Sequence, residues 1–166
     1  MDVIFKRRSV RRYADRDVPE VCIKKILEAG MSAPSAGNEQ PWHFLVIRKR
    51  DTLDSLAGAS PYAAALKGAP VAVLILGDLS LERHKGFWVQ DCSAAAENML
   101  LEAASLGLGT VWLGIYPLAE RIDYISRYFR LPEGIIPFAI VPVGYPLEEP
   151  KTVNRYNESR VHSESW

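Results

Sequence analysis

Cysteine is nearly absent from this 166-residue chain, which carries only Cys22 and Cys92, far apart in sequence. No disulfide framework is expected, and the length suffices for one domain to bury its own core without one. We read both cysteines as reduced core residues, which suits the cytoplasm. Histidine is scarce too: His43, His84 and His162 show no metal-ligand spacing, and no serine–histidine–acid grouping is visible. Neither sign of charge prevails, since 20 lysines and arginines face 20 aspartates and glutamates. No whole-molecule field therefore points to nucleic acid or an anionic membrane. No apolar run is long enough for a bilayer, and the N-terminus lacks the apolar stretch of a signal peptide. Internal repeats, low-complexity blocks and the GxGxxG and GxxxxGK[ST] phosphate loops are all missing. The absences predict a soluble intracellular domain without the usual nucleotide cradles.

What is present is an alternation of helical and strand signals. Asp17 and Glu20 form a capping pair with Pro19 in the first turn, and Ile23, Ile26 and Leu27 recur at helical spacing up to Gly30. Residues 43–47 read as a strand, and 51–58 and 61–67 as two short helices. Residues 71–76, VAVLIL, are apolar throughout and predict a strand buried on both faces. The longest helix is 87–106, with Cys92, Ala95, Ala96, Met99, Ala103 and Leu106 on one face and Gly107 as its left-handed cap. A strand at 111–115, an amphipathic helix at 118–129 and a strand at 138–143 follow. Pro142 cannot donate to a ladder, so the last strand is expected at an edge or bulged there. Beyond Gly144 the chain is polar and proline-broken yet ends in Trp166, so this tail is expected to pack on something. Taken alone, the alternation suggests a parallel α/β sheet.

Three stretches could carry chemistry. "RRSVRRY", residues 7–13, holds four arginines and a serine, and Lys6 adds a further cation. A solvated helix end is the default for such a run. The functional reading is a local anion site, because a phosphate dianion needs two or three cationic donors and guanidinium matches its oxygens in pairs. "SAPSAGNEQPWHF", residues 32–44, is either an ordinary loop with Pro34 and Gly37 as turn-formers, or a rigid one offering Ser35, Asn38 and Gln40 to a polar ring or polyol. In the second case Trp42 is an aromatic wall nearby. "GLGTVWLGIYP", residues 107–117, is a cap and buried strand, or a strand end where Gly114 lets a ligand meet backbone N–H.

Together these stretches resemble the nitroreductase family of flavoproteins. "RRSVR" is similar to the family's N-terminal phosphate-binding motif, with Arg7, Ser9 and Arg11 at alternate positions, Arg8 between them and Arg12 left to the solvated reading. "APSAGNEQPWHF" closely resembles PSxxNxQPW, and "GLGTVWLGIYP" the strand at the flavin ring. "VGYP" with the later Arg155 resembles the C-terminal signature, and the sequence departs from the basic pair some members carry there, since Lys151 and Arg155 are separated by three residues.

The resemblance covers nearly the whole chain and implies an α+β domain over residues 1–166. Its central, largely antiparallel sheet is flanked by helices, in an intertwined homodimer whose arm, 145–166, packs on the partner subunit. It implies FMN contacts from Arg7, Arg8, Ser9, Arg11, Pro34, Ser35, Asn38, Gln40, Leu113, Gly114 and Arg155 at the subunit interface, with a backbone N–H near Gly114 facing flavin N5. A hydride-carrying cofactor needs the protein for binding, orientation and tuning, so no catalytic acid, base or metal ligand is assigned. The implied reaction passes electrons from NAD(P)H through FMN to a nitroaromatic, quinone or similar acceptor. Dehalogenation, enone reduction, flavin breakdown and non-catalytic FMN binding are the alternatives. A lid falls to Tyr62, Phe87, Trp88, Tyr116 or a partner, and Phe87 and Trp88 read equally well as helix-start core residues.

Overall fold

The computed structural model describes residues 3–149 and 151–166. In chain order its helices are α1 (Val3–Lys6), α2 (Glu20–Met31), α3 (Arg50–Ala57), α4 (Trp88–Ser105) and α5 (Ala119–Phe129). The strands are β1 (Trp42–Ile47), β2 (Val71–Asp78), β3 (Gly109–Thr110), β4 (Leu113–Gly114) and β5 (Ile135–Gly144). Short 3₁₀ turns occupy Ala36–Asn38, Ala63–Lys67 and Glu158–Arg160.

Strand β2 organises the core. Side chains alternate across a strand, and here both sets are covered. Val71, Val73 and Ile75 pack against α2 and α4 with Val141, Val143 and Met99. Ala72, Leu74 and Leu76 face α3, the Ala63–Lys67 turn and α5 with Ile140 and Ile125. Burying each of the larger side chains contributes about 1.5–3 kcal/mol. The apolar run from Val71 to Leu76 thus lies between two helical layers, as its sequence predicts.

The strand order is β1-β2-β5-β3, with β4 also paired to β5, and every pairing between strands is antiparallel. This overturns the parallel sheet that alternation alone suggests. The helical segments between β1 and β2 pack on each other and return the chain to the end it left, Ile47 opposite Ala72. Helix α4 does carry the chain across one face, so β2 and β3 run the same way. Strand β5, the last in sequence, then inserts between them and opposes both.

Because β5 is interior, Pro142 sits at neither an edge nor a bulge. The ladder beside it is interrupted instead: β3 ends at Thr110 opposite Val143, and β4 begins at Leu113 opposite Ile140. The one register shift lies between Ile75 and Leu76, away from Pro142. The predicted capping pair is also absent. Pro19 is the N-cap of α2 with no side-chain cap, while Glu20 pairs with Arg48 at 2.9 Å and Asp17 lies 3.8 Å from it.

Helix α4 spans the molecule beneath the sheet. Its alanines admit close neighbours, and a Cβ on Gly30 of α2 would lie 2.9 Å from Met99 Cγ. Gly107, at φ +74, ends the helix as predicted: Leu108 N–H donates to Ala103 O at 2.8 Å and Gly107 N–H to Ala104 O at 3.1 Å. That pair of bonds is a Schellman cap.

Candidate functional site

The basic stretch divides among three environments. Arg7 N–H still donates to Val3 O at 2.8 Å, so Arg7 belongs to the last turn of α1 and not to an extended segment. Its guanidinium turns toward α4 and lies 3.5 Å from Glu97. Extended geometry begins at Ser9, which bridges Thr110 in parallel, and Val10 N–H donates to Thr110 O at 2.8 Å. Arg7, Ser9 and Arg11 therefore do not share one side. Arg8 donates to Arg7 O at 2.8 Å, Lys151 O at 2.9 Å and Val153 O at 3.1 Å, tying down the C-terminal arm. Arg12 pairs with Glu148 at 2.8 Å in open solvent.

Arg11, itself exposed, stands at the rim of a cavity. It lines this space of about 560 Å³ with Tyr62, Trp112, Leu113, Gly114 and Arg121, under an apolar wall that includes Leu56, Ala65 and Ile140. That volume falls in the ligand-pocket range. Nothing lies within 4 Å of where a Cβ on Gly114 would sit, so packing does not demand glycine there. The missing side chain instead leaves the strand end open to the cavity. Arg121 Nη1 donates to Gly114 O at 2.7 Å. Arg11 also lines a shallower depression of about 350 Å³ with Ser9, Arg12 and Lys151, where Glu148 and Glu149 stand as well, Glu148 paired with Arg12. Cationic and hydroxyl donors thus adjoin an apolar slot, which suits a ligand with an anionic tail and a flat ring.

The second motif forms a tight loop. Gly37, Asn38 and Gln40 all have left-handed backbones, at φ 53, 56 and 47. Ser35 Oγ accepts from Gln40 N–H at 3.0 Å, and Gln40 Nε2 donates to Asn38 Oδ1 at 3.2 Å. Pro34, Asn38 and Gln40 are exposed and Ser35 is half-buried, so the loop displays its polar groups. Buried carboxylates hold it from behind: Asp91 Oδ1 accepts from Ala36 N–H at 3.0 Å, and Glu39 Oε2 accepts from the N–H groups of Arg83 and His84 at 2.6 and 3.0 Å.

One chain does not bring the two motifs together. The loop leads into β1 at one edge of the sheet, and Gly114 lies on β4, three strand positions away, or about 14 Å. Along α4, the loop contacts Asp91 near the start, whereas Ser9 meets the strand that follows the helix end, about 20 Å further on. Arg155 is exposed on the arm and makes no hydrogen bond or ion pair among the described residues.

One aromatic expectation is corrected, that for Trp42, and for Trp88 the core reading holds over the lid. Trp42 is a buried core residue beneath the sheet and no wall for a ligand. Trp88 is buried too, edge-on to Tyr116 at 4.8 Å and to Phe138 at 6.1 Å, so it belongs to the core and not to a lid. Tyr62, 75% exposed, does overhang the cavity. The sequence reading missed Arg121, Glu39 and Asp91. Asp91 left a signal, as an acid among Trp88, Cys92 and Ala95 on the buried stripe of α4. Among the described residues no helix is long and apolar enough to cross a membrane, and no group of three or more His, Cys, Asp or Glu could hold a metal ion.

Comparison with known proteins places the chain in a family. The profile of the Nitroreductase family matches residues 4–61 and 59–145. A Methanothermobacter thermautotrophicus protein, provisionally named NADH dehydrogenase/NAD(P)H nitroreductase, is 51% identical over 100% of this chain and 87% of its own length. A solved Clostridium acetobutylicum structure, provisionally an NADH oxidase, superposes with TM-score 0.97 at 45% identity, covering 99% of this chain and 100% of the other. A provisional nitroreductase from Desulfovibrio desulfuricans, solved in complex with FMN, gives TM-score 0.85 at 34% identity over 99% and 96% of the two chains. By profile, sequence and fold alike, the chain belongs to the nitroreductase family.

Proposed function

We propose that the protein is an FMN-dependent oxidoreductase that moves electrons from NAD(P)H to a small acceptor such as a nitroaromatic or quinone. In this reading residues 1–166 act as one FMN-binding domain, with 145–166 an arm that packs on a second copy. The observation that carries it is the pairing of Arg11 with Gly114 at one cavity, cationic at its mouth and open where a Cβ would stand. The residues present fit the cofactor. Ser9, Arg11 and Lys151 would hold the phosphate, with Arg155 brought in by the arm, while Leu113 and Gly114 would lie along the ring. Arg7 and Arg8 stand next to this site, and Arg8 orders the arm through Lys151 and Val153. Arg121, fixed to Gly114 O, adds a second positive charge to the cavity wall and favours an electron-rich ring.

FMN held there would supply the redox chemistry, reversible hydride and electron transfer between a nicotinamide and the acceptor. The chain's part is to bind, orient and shield, so no side chain is assigned as acid or base. Separation of the PSxxNxQPW loop from the cavity supports a site completed by a second copy, whose Ser35, Asn38 and Gln40 would close over the ring. The arm supports the same arrangement, since Tyr156 and Trp166 are exposed at 73% and 101% and contribute nothing to the chain's own core. Names of the relatives support NAD(P)H as reductant, and the FMN-bound neighbour supports the cofactor.

The test is the absorption spectrum of the purified chain with added FMN, followed by oxidation of NADH and NADPH in the presence of a nitroaromatic. Flavin uptake with turnover is expected. Uptake without turnover would favour a binding protein, and no uptake of FMN would defeat the reading.

A further inference from the structure

Glu39 and Asp91 are buried beside the loop at 6% and 5% exposure. Each has one oxygen satisfied from the backbone, through the N–H groups of Arg83 and His84 for Glu39 and of Ala36 for Asp91. The other two, Glu39 Oε1 and Asp91 Oδ2, meet no N–H or O–H donor among the described residues. The two side chains are within hydrogen-bonding reach of each other. Two carboxylates so placed cannot both stay charged. One proton between them satisfies both orphan oxygens.

We propose that Glu39 and Asp91 share a single proton, and that this acid pair is the positioning device that holds Gly37, Asn38 and Gln40 in their left-handed conformation. Its link to cofactor binding rests on the flavin reading above. Left-handed Asn38 and Gln40 persist only where the surroundings over-determine them. The pair supplies that constraint by joining three segments: Asp91 from α4, the loop through Ala36, and the 79–87 connection through Arg83 and His84. His84 reinforces it, since its ring stands where a Cβ on Gly37 would go.

Of the two, Asp91 is the one that takes up a proton more readily, its carboxyl being raised while that of Glu39 is lowered. Burial raises the Asp91 carboxyl above the usual range, outweighing the Ala36 N–H bond, and the neighbouring Glu39 and Glu82 push it further up. Burial also acts to raise Glu39, but the N–H groups of Arg83 and His84, the hydroxyl of Asp91 and the charge of His84 together hold it below its ordinary value. On the α4 side the pair also faces Cys92, which burial and Asp91 push up to about 12, so it stays a neutral thiol. The signs follow. Stability from a raised group is present below its unfolded value and is lost as pH rises through its folded one; that alkaline limb belongs to Asp91. Glu39 gives the opposite, acid limb, losing stability as pH falls through its lowered folded value.

Asp91→Asn and Glu39→Gln each put a fixed N–H where the shared proton stands. Melting of the full chain, without added FMN, from about pH 4 upward to about pH 8 is the test. Wild type is expected to lose stability relative to both variants as pH rises, by about tenfold in the folding equilibrium across that range. At neutral pH, Asp91→Ala should weaken FMN binding about tenfold while Asp91→Asn stays within about twofold of wild type. Parallel melting curves for wild type and both variants would overturn the shared proton. Equal FMN affinities for the Ala and Asn variants would overturn its positioning role. The melting curves need no cofactor, so failure to bind FMN at all would count against the flavin reading while the pair is judged by its pH profile.

Discussion

Arg8 Nε donates to the carbonyl oxygen of Lys151 at 2.9 Å, so the first basic stretch of the chain is tied to its C-terminal arm. A second bond, to Val153 O at 3.1 Å, fixes the arm's direction. Beyond that clasp every residue to Trp166 is exposed. An arm held at its root and exposed along its length is poised to cover another surface, in the proposed reading that of a second copy.

Removing the clasp or the arm should therefore act at a distance. Truncation after Gly144 is expected to lower both dimer stability and FMN affinity, with the Trp166 anchor alone contributing about 2–3 kcal/mol once buried. Arg8→Ala should give a weaker form of the same two defects. Sedimentation and flavin titration measure them, and unchanged values after truncation would show that the arm covers nothing.

Among the arginines, position decides the effect. Arg11→Ala should weaken FMN binding by about 1.5–3 kcal/mol, the scale of a lost bond to a charged group. Arg12→Ala should cost well under about 1 kcal/mol, because its pairing with Glu148 is fully solvated. Isothermal titration with FMN distinguishes the two. Equal losses would mean a diffuse basic patch instead of a defined phosphate site.

Gly114 separates ligand from fold. A valine there meets no atom within 4 Å of its Cβ and suits a strand, so Gly114→Val should change stability by less than about 1 kcal/mol. The same methyls project into the cavity and should abolish FMN uptake. Thermal unfolding paired with flavin titration checks both halves. A variant that binds FMN normally would move the ring elsewhere.

Much of this was legible in the residues because local signals and tertiary demand agreed. Val71 to Leu76 could only be a strand covered twice, and Gly107 could only follow a helix end. Strand direction was not legible, because alternation says nothing of where β5 inserts; Pro142 misled for the same reason, its missing N–H being excused by the gap between β3 and β4. At the candidate site, residue types outran their orientations. Arg7 follows the period of α1, which turns it toward Glu97, and Trp42 was named for the loop before it but packs as the first residue of a core strand. Glu39 lay inside the quoted motif, and its role emerged only when the fold set it beside Asp91.

The central claim, one flavin site built from two chains, has a direct test in mixed dimers. One chain carries Gly114→Val, which blocks the cavity; the other carries Asn38→Ala with Gln40→Ala, which removes the loop's polar groups. Each is expected to be inactive alone, whether a site is built within a chain or between chains. When the two are unfolded together and refolded, FMN-dependent NAD(P)H oxidation is expected to recover, because each mixed dimer joins an intact cavity from one chain to an intact loop from the other. No recovery, with mixed dimers demonstrably formed, would contradict it.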